Sequence, residues 1–315
     1  MRIGFIGLGN VGGKLAGNLL QNGFDLSVCD LDPDRVAQFA RIGAKEAAGP
    51  AILARDCDTV ITCLPSPAAC EAVVMELLPH LGEDQIWMEM STTDADAVAR
   101  LAAKVEARGA AAVECPVSGG CHRAATGNIS IFAGCDRATF ERVLPLLTVL
   151  GRRVLHTGPV GSASKLKVMT NYLATANLLS LCEALAVMKA QGLDLATTYE
   201  AIRISSGNSF VHETESQVIL NGSRDISFTM DLVAKDIGLF QALAEEAGIA
   251  LEISPLMNAI FADGIARYGT RAQSDEIIRR LEDAAGLSIT APGFPAEMVD
   301  DEPAAIGAEI VPRGR

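Results

Sequence analysis

Lys167 and Asn171 are the two residues whose types and spacing point most directly to chemistry. They stand four residues apart in a long apolar stretch that follows Gly158, so a helix places them on one face. The next residues of that face, Ala174 and Leu178, are small or apolar, and poor solvation lowers the pKa of a lysine toward the range of proton transfer near neutrality. The asparagine offers a donor and an acceptor to the same oxygen. The pair predicts a proton-transfer site, with a surface lysine as the alternative reading.

The N-terminal segment has the pattern of a dinucleotide site. A short apolar strand, a glycine-rich loop, a helix and a second strand follow one another, and the loop consists of Gly7, Leu8, Gly9, Asn10, Val11 and Gly12. We expect Gly7 to make the tight turn, Gly9 to let the backbone approach a pyrophosphate, and Gly12 to let helix and strand pack closely. The pyrophosphate then lies at a helix N-terminus, where free N–H groups and the helix dipole favour an anion.

Asp30 ends the second strand and decides the expected cofactor. A carboxylate there accepts hydrogen bonds from a ribose diol and repels a 2′-phosphate. Asp32 and Asp34 add negative charge, and the first arginine after them is Arg35, one turn into the next helix. The sequence therefore favours NAD over NADP. Arg35 is the residue that could let the site accept NADP as well.

Two further strand ends are expected at the same crevice, because open α/β sheets bind ligands beyond the carboxyl ends of their strands. One apolar strand runs into Leu64 and Pro65, and another runs into a polar segment that contains Thr92. We expect these three residues near the nicotinamide ribose. An ordinary loop explains Leu64 and Pro65 almost as well, and helix capping explains the hydroxyls around Thr92.

Ser118, Gly119 and Gly120 follow a third such strand. One hydroxyl and two accessible backbone N–H groups form a suitable cradle for a carboxylate. The sequence thus predicts a substrate that carries a carboxylate, held by these three residues.

The pattern changes after about residue 162, where strand signals stop and long helical periodicities continue to about residue 288. Such a switch indicates an α/β domain with a doubly wound Rossmann sheet over 1–162 and an all-helical domain over 163–288, joined by a long core helix. Residues 289–315 show no periodicity and predict an extended arm or a disordered tail. Lys235 lies in an apolar stripe between Leu232 and Leu239, which indicates a functional lysine unless its side chain reaches the surface.

Composition limits the classes of partner. A net charge of −13 argues against nucleic acid and anionic membrane surfaces. No targeting segment and no uncharged apolar run of membrane-spanning length is apparent, and the cysteines form no CxxC pair, so we expect a cytoplasmic protein without a metal site. Apolar faces in the helical half predict a homodimer or homotetramer.

Four segments together resemble the β-hydroxyacid dehydrogenase family, which includes 3-hydroxyisobutyrate dehydrogenases, tartronate semialdehyde reductases and, more distantly, 6-phosphogluconate dehydrogenases. In the family's order they are Gly4–Gly12, Pro116–Gly120, Gly158–Asn171 and Lys235–Asp236. The resemblance implies that Lys167 is the catalytic acid/base, that Asn171 binds the substrate and that Lys235 lies near nicotinamide and substrate. It implies contacts with the substrate carboxylate for Ser118, Gly119 and Gly120, and with the cofactor for Leu64, Pro65 and Thr92.

The sequence departs from the family pattern at several positions: Thr170 replaces a frequent asparagine, Glu114-Cys115 replaces Asp-Ala, and Lys165 is an additional lysine. The expected activity is NAD-dependent, reversible hydride transfer to or from a short 3-hydroxy acid or its semialdehyde. Two alternatives are an imine reductase on the same scaffold and a dinucleotide-binding sensor without catalysis. Retention of Lys167 and of the Ser118 cradle argues against both, because an imine needs no carboxylate grip and a sensor needs no proton-transfer lysine.

Overall fold

The computed structural model describes residues 1–303 and 305–314. Contacts divide the chain into two compact units: a sheet unit, formed by Met1–Lys167 together with the chain from Asp300 on, and a helical unit, formed by Val168–Val299. The fold is thus α/β in its N-terminal part and helical in its C-terminal part, as the sequence predicted.

The sheet unit is built on one mixed sheet. Its described strands are β1 Arg2–Ile6, β2 Asp25–Cys29, β3 Lys45–Glu46, β4 Thr59–Thr62, β5 Ile86–Glu89, β6 Ala111–Glu114, β7 Val117–Ser118, β8 Ser130–Gly134, β9 Arg153–Gly158 and β10 Ala308–Glu309. The order is β10-β9-β8-β6-β5-β4-β1-β2-β3, with β7 paired to β8. From β3 to β6 all neighbours are parallel, whereas β8 runs antiparallel to β6. The carboxyl ends of β1, β4, β5 and β6 therefore meet at one edge.

Helices connect these strands and cover the sheet. They are α1 Asn10–Gln21, α2 Pro33–Arg41, α3 Pro50–Asp56, α4 Pro67–Leu77, α5 Ala95–Glu106, α6 Gly120–Thr126 and α7 Arg137–Leu150. The central strands are buried along their whole length, β4 and β5 at every residue. Burial on both faces accounts for their continuous apolar character and for the absence of a two-residue alternation.

The helical unit contains most of α8 Ser162–Ala190, followed by α9 Leu195–Arg203, α10 Phe210–Asn221, α11 Met230–Glu246, α12 Ile253–Tyr268 and α13 Arg279–Ala285. Its core is apolar, with Leu185, Ile219, Ile237 and Phe261 fully buried. These helices begin and end within a few residues of the periodicities seen in the sequence. Several ends are marked by expected signals, such as the Asp194 cap of α9 and the left-handed Gly222 after α10.

Helix α8 is the segment that bears on the expectation of no uncharged apolar run of membrane-spanning length. It contains charged residues, among them Lys167 and Glu183, but by length and composition alone this 29-residue helix could cross a membrane, with a mean hydropathy of 1.3 in its most apolar window. Those two properties do not distinguish a membrane span from the central helix of a folded domain. Leu178, Leu181 and Leu185 of α8 lie in the core of the helical unit, which supports the second reading.

The C-terminal segment is more structured than a disordered tail. Ile289 is fully buried in the helical unit, and the backbone N–H of Ala291 donates to the carbonyl of Leu220 at 2.8 Å. Farther on, β10 pairs with β9 of the sheet unit. Of the two forms predicted for 289–315, an extended arm and a disordered tail, these contacts fit the arm. Its partners were not predicted, because single hydrogen bonds and a two-residue strand leave no periodic pattern in a sequence.

Asp300 anchors the returning chain to the sheet unit. Its carboxylate accepts hydrogen bonds from Thr126 and from Nδ2 of Asn128, the latter at 2.7 Å, and the Asn128 side chain is fully buried. Nearby, Glu302 accepts two hydrogen bonds from the Arg153 guanidinium at 2.7 and 3.0 Å. These contacts hold residues 300–302 against the sheet unit.

We predict that Asp300→Ala destabilises the protein, because it removes an acceptor from the buried Asn128 amide, at a cost of about 1–3 kcal/mol. Thermal unfolding should show a lower midpoint for this variant. The neighbouring Asp301 is exposed, and Asp301→Ala is the matched control, expected to change stability by less than about 0.5 kcal/mol. Equal midpoints for the two variants would contradict the proposed anchor.

A carboxyl pair, Glu215 and Asp275, lies inside the helical unit. Burial raises the pKa of Glu215 to about 7, and burial together with the charge of Glu215 raises the pKa of Asp275 well above its ordinary value. Asp275 is fully buried. In the folded protein the pair therefore retains protons that the unfolded chain releases above about pH 4.3.

We predict that the free energy of unfolding falls as the pH rises from about 4.5 to 7, since over this window the folded state binds more protons than the unfolded chain. Glu215→Gln should flatten this dependence, because an amide donates to Asp275 without needing a proton. Urea unfolding at several pH values measures the effect. Glu246→Gln, on an exposed residue of the same unit, removes the same charge and should keep the wild-type slope.

Candidate functional site

The glycine loop after β1 has the geometry of a phosphate-binding turn. Gly7 has φ +96°, and a Cβ there would lie 2.2 Å from the carbonyl oxygen of Cys63. A Cβ on Gly12 would lie 2.1 Å from the carbonyl oxygen of Gly7, so neither position accepts a side chain. Gly9 is open, with only Nη1 of Arg35 within 4 Å of an added Cβ, at 3.6 Å.

Helix α1 starts directly after this loop, at Asn10, and no side chain caps it. Its first-turn N–H groups, among them those of Asn10, Val11 and Gly12, lack intrahelical acceptors and favour an anion at this end. The loop and the helix start together fit the pyrophosphate of a dinucleotide.

Asp30 lies next to the loop and is already bonded to it. Its carboxylate accepts from the backbone N–H of Leu8 at 2.5 Å and from that of Asp32 at 2.8 Å. From the other side, Arg35 donates to the carbonyl oxygen of Leu8 at 3.0 Å and to the carboxylate of Asp32 at 3.1 Å. The loop and the β2–α2 connection are thus held together, with the Asp30 carboxylate and the Arg35 guanidinium both bonded to the backbone of Leu8.

The loops after β4 and β5 are joined by one hydrogen bond. The backbone N–H of Leu64 donates to the hydroxyl of Ser91 at 2.7 Å, which places the Leu64–Pro65 turn beside the segment that contains Thr92. Capping of α5 is done by Asp94, whose carboxylate accepts from Ala97 at 2.7 Å. The hydroxyl of Ser91 therefore serves the loop contact instead of the helix cap.

Glu89 lies beneath these two loops, and its role was not predicted from the sequence. This fully buried carboxyl group accepts hydrogen bonds from the Ser91 backbone at 2.8 Å, from the Cys70 thiol at 2.9 Å and from the Thr62 hydroxyl. Burial raises its pKa. The sequence does contain a signal for this role: Glu89 is an acid at the end of the otherwise apolar strand β5, and a buried acid needs hydrogen-bond partners.

Ser118, Gly119 and Gly120 lie at the turn from β7 into α6. Val117 and Ser118 pair with β8, and both glycines have positive φ, +130° and +85°. Their positive φ makes this a turn, the kind of backbone in which successive N–H groups can form an anion-binding concavity. The turn is reached from the carboxyl end of β6, the same edge at which the glycine loop lies.

Glu114, the last residue of β6, binds the start of α8. Its carboxylate accepts from the Ala163 backbone at 2.7 Å, and from the backbone and hydroxyl of Ser164 at 3.3 and 2.7 Å. A Cβ on Gly134 would lie 2.4 Å from this carboxylate, so the glycine makes room for it. Lys167 follows in the same turn of α8 and is only 7% exposed.

In the helical unit, Asn171 and Lys235 meet at one carboxylate. Nδ2 of Asn171 donates to Oδ2 of Asp236 at 2.5 Å, and Nζ of Lys235 lies 3.2 Å from Oδ1 of the same group. Neighbouring residues of a helix point to different faces, so adjacency in sequence does not by itself predict this ion pair. The long lysine side chain turns back and makes the pair.

Metal chemistry is not indicated by the described part of the chain. Within residues 1–303 and 305–314, no three or more His, Cys, Asp or Glu side chains are grouped so as to hold an ion.

Comparison with known families covers almost all of the chain. Residues 2–158 match the NAD binding domain of 6-phosphogluconate dehydrogenase, and residues 161–281 match the NAD-binding domain of NADP-dependent 3-hydroxyisobutyrate dehydrogenase. The chain thus carries both halves of a nicotinamide dinucleotide enzyme.

Among curated relatives, a 2-(hydroxymethyl)glutarate dehydrogenase of Eubacterium barkeri is 31% identical over 92% of this chain and 98% of its own. An NAD-dependent L-serine dehydrogenase of Pseudomonas aeruginosa is also 31% identical, over 90% of this chain and 98% of its own.

Solved structures agree with these relatives. A 3-hydroxyisobutyrate dehydrogenase from Salmonella typhimurium superposes with a TM-score of 0.81 at 25% identity, over 89% of this chain and 99% of its own. An imine reductase from Myxococcus stipitatus, at 18% identity and a TM-score of 0.60 over 89% of this chain and 98% of its own, shares the fold alone. On this sequence and structural likeness, the chain belongs to the β-hydroxyacid dehydrogenase family and is an NAD(P)-dependent oxidoreductase.

Proposed function

We propose that this enzyme catalyses reversible hydride transfer between NAD and a short 3-hydroxy acid, with Lys167 as the general acid/base. The observation that carries the proposal is a buried lysine in the first turns of α8, one turn before an asparagine on the same helix. A lysine that is withdrawn from water exchanges a proton near neutral pH more readily than an exposed one.

The names of the relatives support the substrate class. 2-(Hydroxymethyl)glutarate, L-serine and 3-hydroxyisobutyrate each carry a hydroxymethyl group on the carbon next to a carboxylate. We infer the same unit for the substrate of this chain, as the hydroxy acid or as its semialdehyde. Which group stands at the remaining position of that carbon is left to a substrate panel.

Each residue then has a defined task. The hydroxyl of Ser118 and the amides of Gly119 and Gly120 bind the carboxylate, and Lys235 adds a positive charge for the same anionic substrate. Asn171 orients the reacting oxygen, from which Lys167 takes the proton during oxidation and to which it returns the proton during reduction. The bound nicotinamide supplies the hydride chemistry.

NAD is the proposed cofactor because Asp30 places a negative charge beside the glycine loop. The P. aeruginosa relative is NAD-dependent by name, whereas the model matched by residues 161–281 is named for an NADP-dependent enzyme. Arg35, bonded to Leu8 and Asp32, is the residue on this chain that could offer a charge to a 2′-phosphate. Asp30 weighs more than Arg35 in this choice, because its carboxylate contacts the glycine loop directly.

We predict that Lys167→Ala lowers kcat by about 10²–10⁴-fold, the usual contribution of an acid/base group. NADH formation with a panel of short 3-hydroxy acids measures it. Lys165→Ala is the matched control, since Lys165 is exposed on the same turn of helix and should leave kcat within about twofold. Near-normal turnover in the Lys167 variant would remove the basis of this mechanism.

We predict that the wild-type enzyme has a higher kcat/KM with NAD than with NADP, and that Asp30→Asn shifts the ratio toward NADP by about tenfold or more. Removing one charge next to a phosphate is worth roughly 1.4 kcal/mol, equivalent to a factor of ten. The asparagine keeps an acceptor for Leu8. Glu106→Gln, at the exposed C-terminal end of α5, removes a charge away from the glycine loop; it is the control and should leave the ratio unchanged. A wild-type preference for NADP would reverse the assignment.

A further inference from the structure

Asp236 is a buried acid to which the proposed mechanism assigns no task. It is 2% exposed, lies on α11, and contacts two residues that the mechanism uses. Its Oδ2 accepts from Asn171 at 2.5 Å, and its Oδ1 lies 3.2 Å from Nζ of Lys235. The Asn171 amide thus contacts one oxygen of this carboxylate, and the Lys235 ammonium group lies near the other.

The hydrogen bond from Asn171 to Asp236 selects one of the two orientations that the Asn171 side-chain amide could adopt. The two ends of a side-chain amide have nearly the same shape, but one donates hydrogen bonds and the other accepts them. A carboxylate that is also paired with an ammonium group can only accept, so the amide must turn Nδ2 toward Asp236. Oδ1 of Asn171 is then directed away from the carboxylate, as the acceptor end.

This orientation matters for the reaction. When the substrate is the hydroxy acid, its O–H needs an acceptor in addition to the lysine, and an amide turned the other way would present a second donor instead. The Asp236 carboxylate therefore selects the amide orientation that presents an acceptor to the substrate, and it does so before the substrate binds. Such preorganisation of polar groups is what catalysis requires.

The attachment of α11 does not require this acid. The helix is packed in the core through Met230, Val233 and Ile237, all fully or nearly fully buried. A buried charge is a weak way to join two helices, because its desolvation offsets much of the attraction. The two specific contacts account better for an acid at this position than helix packing does.

We propose that Asp236 is a positioning residue, which orients the Asn171 amide toward the substrate oxygen and holds the Lys235 ammonium group. The inference rests on the proposed role of Asn171. It assigns to Asp236 no contact with substrate or cofactor. Its effect on the reaction must therefore pass through Asn171 or through Lys235. Because Lys235 is proposed to bind the anionic substrate, loss of its contact should appear mainly in KM, and the part that passes through Asn171 can be measured in kcat.

The test is a double-mutant cycle on kcat, with Asp236→Asn, Asn171→Ala and the two combined. In the Asp236 variant the new amide can donate to Oδ1 of Asn171 and turn it around. We expect kcat to fall about 10–100-fold, the range seen when a partner that orients a functional group is lost. Because both changes disable the same group, the combined variant should be no slower than Asn171→Ala, whereas independent effects would multiply.

Three outcomes separate the possibilities. A kcat unchanged in Asp236→Asn, with Asn171→Ala slow, overturns this inference and leaves the proposed function intact. Multiplicative losses in the combined variant overturn it as well. An unchanged kcat in Asn171→Ala overturns the role of Asn171 itself, and with it the task of Asp236.

A swap variant guards against failure of the single variant to fold. Asn171→Asp with Asp236→Asn keeps one acid and one amide, and so keeps a hydrogen bond between the helices. We expect it to fold with a normal melting temperature and to remain slow, whereas recovery of kcat would show that Asp236 only joins the helices. Glu246→Gln removes an exposed carboxylate at the far end of the same helix, and should leave kcat unchanged.

Discussion

The position of Lys167 depends on one interaction, the capture of the N-terminus of α8 by Glu114. A helix start carries unsatisfied N–H groups and a partial positive charge, and both are met here by a carboxylate from the end of a central strand. Because α8 begins there, Lys167 is held at a set distance along the helix from the end of β6. The same strand continues into the Ser118 turn, so the end of β6 is linked both to the start of α8 and to the candidate carboxylate cradle.

Buried acids recur wherever this chain must hold backbone in place near its proposed site. Glu89 binds Ser91 of the loop that carries Thr92, Glu114 binds the start of α8, and Asp236 binds the side chains of Asn171 and Lys235. In each case the acid accepts two or more hydrogen bonds or ion-pair contacts, which offsets the cost of withdrawing it from water. Such groups accept bonds at fixed angles, which apolar packing does not provide, and they specify geometry more than they add stability.

The sequence predicted those parts that depend on local pattern. The glycine loop, the alternation of strands and helices and the switch to helices all follow from spacing within a few residues. The roles of Lys167 and of the other site residues, which the family resemblance added, stay predictions. Long-range partners were not accessible in this way. Nothing near Glu114 in sequence indicates Ala163 and Ser164, and adjacency to Lys235 does not by itself predict the pair that Asp236 makes. Likewise β10 is two residues long and owes its existence to the free edge of β9.

The return of the chain to the sheet has a consequence for synthesis on the ribosome. Asp300 and β10 belong to the sheet unit, but they are made only after the whole helical unit. While residues 168–299 are being translated, at about 5–20 residues per second, β9 stays an unprotected edge for several seconds or longer. Any nascent chain that stops short of Asp300 would expose that edge permanently, and premature termination near the end should yield a product prone to edge-to-edge aggregation.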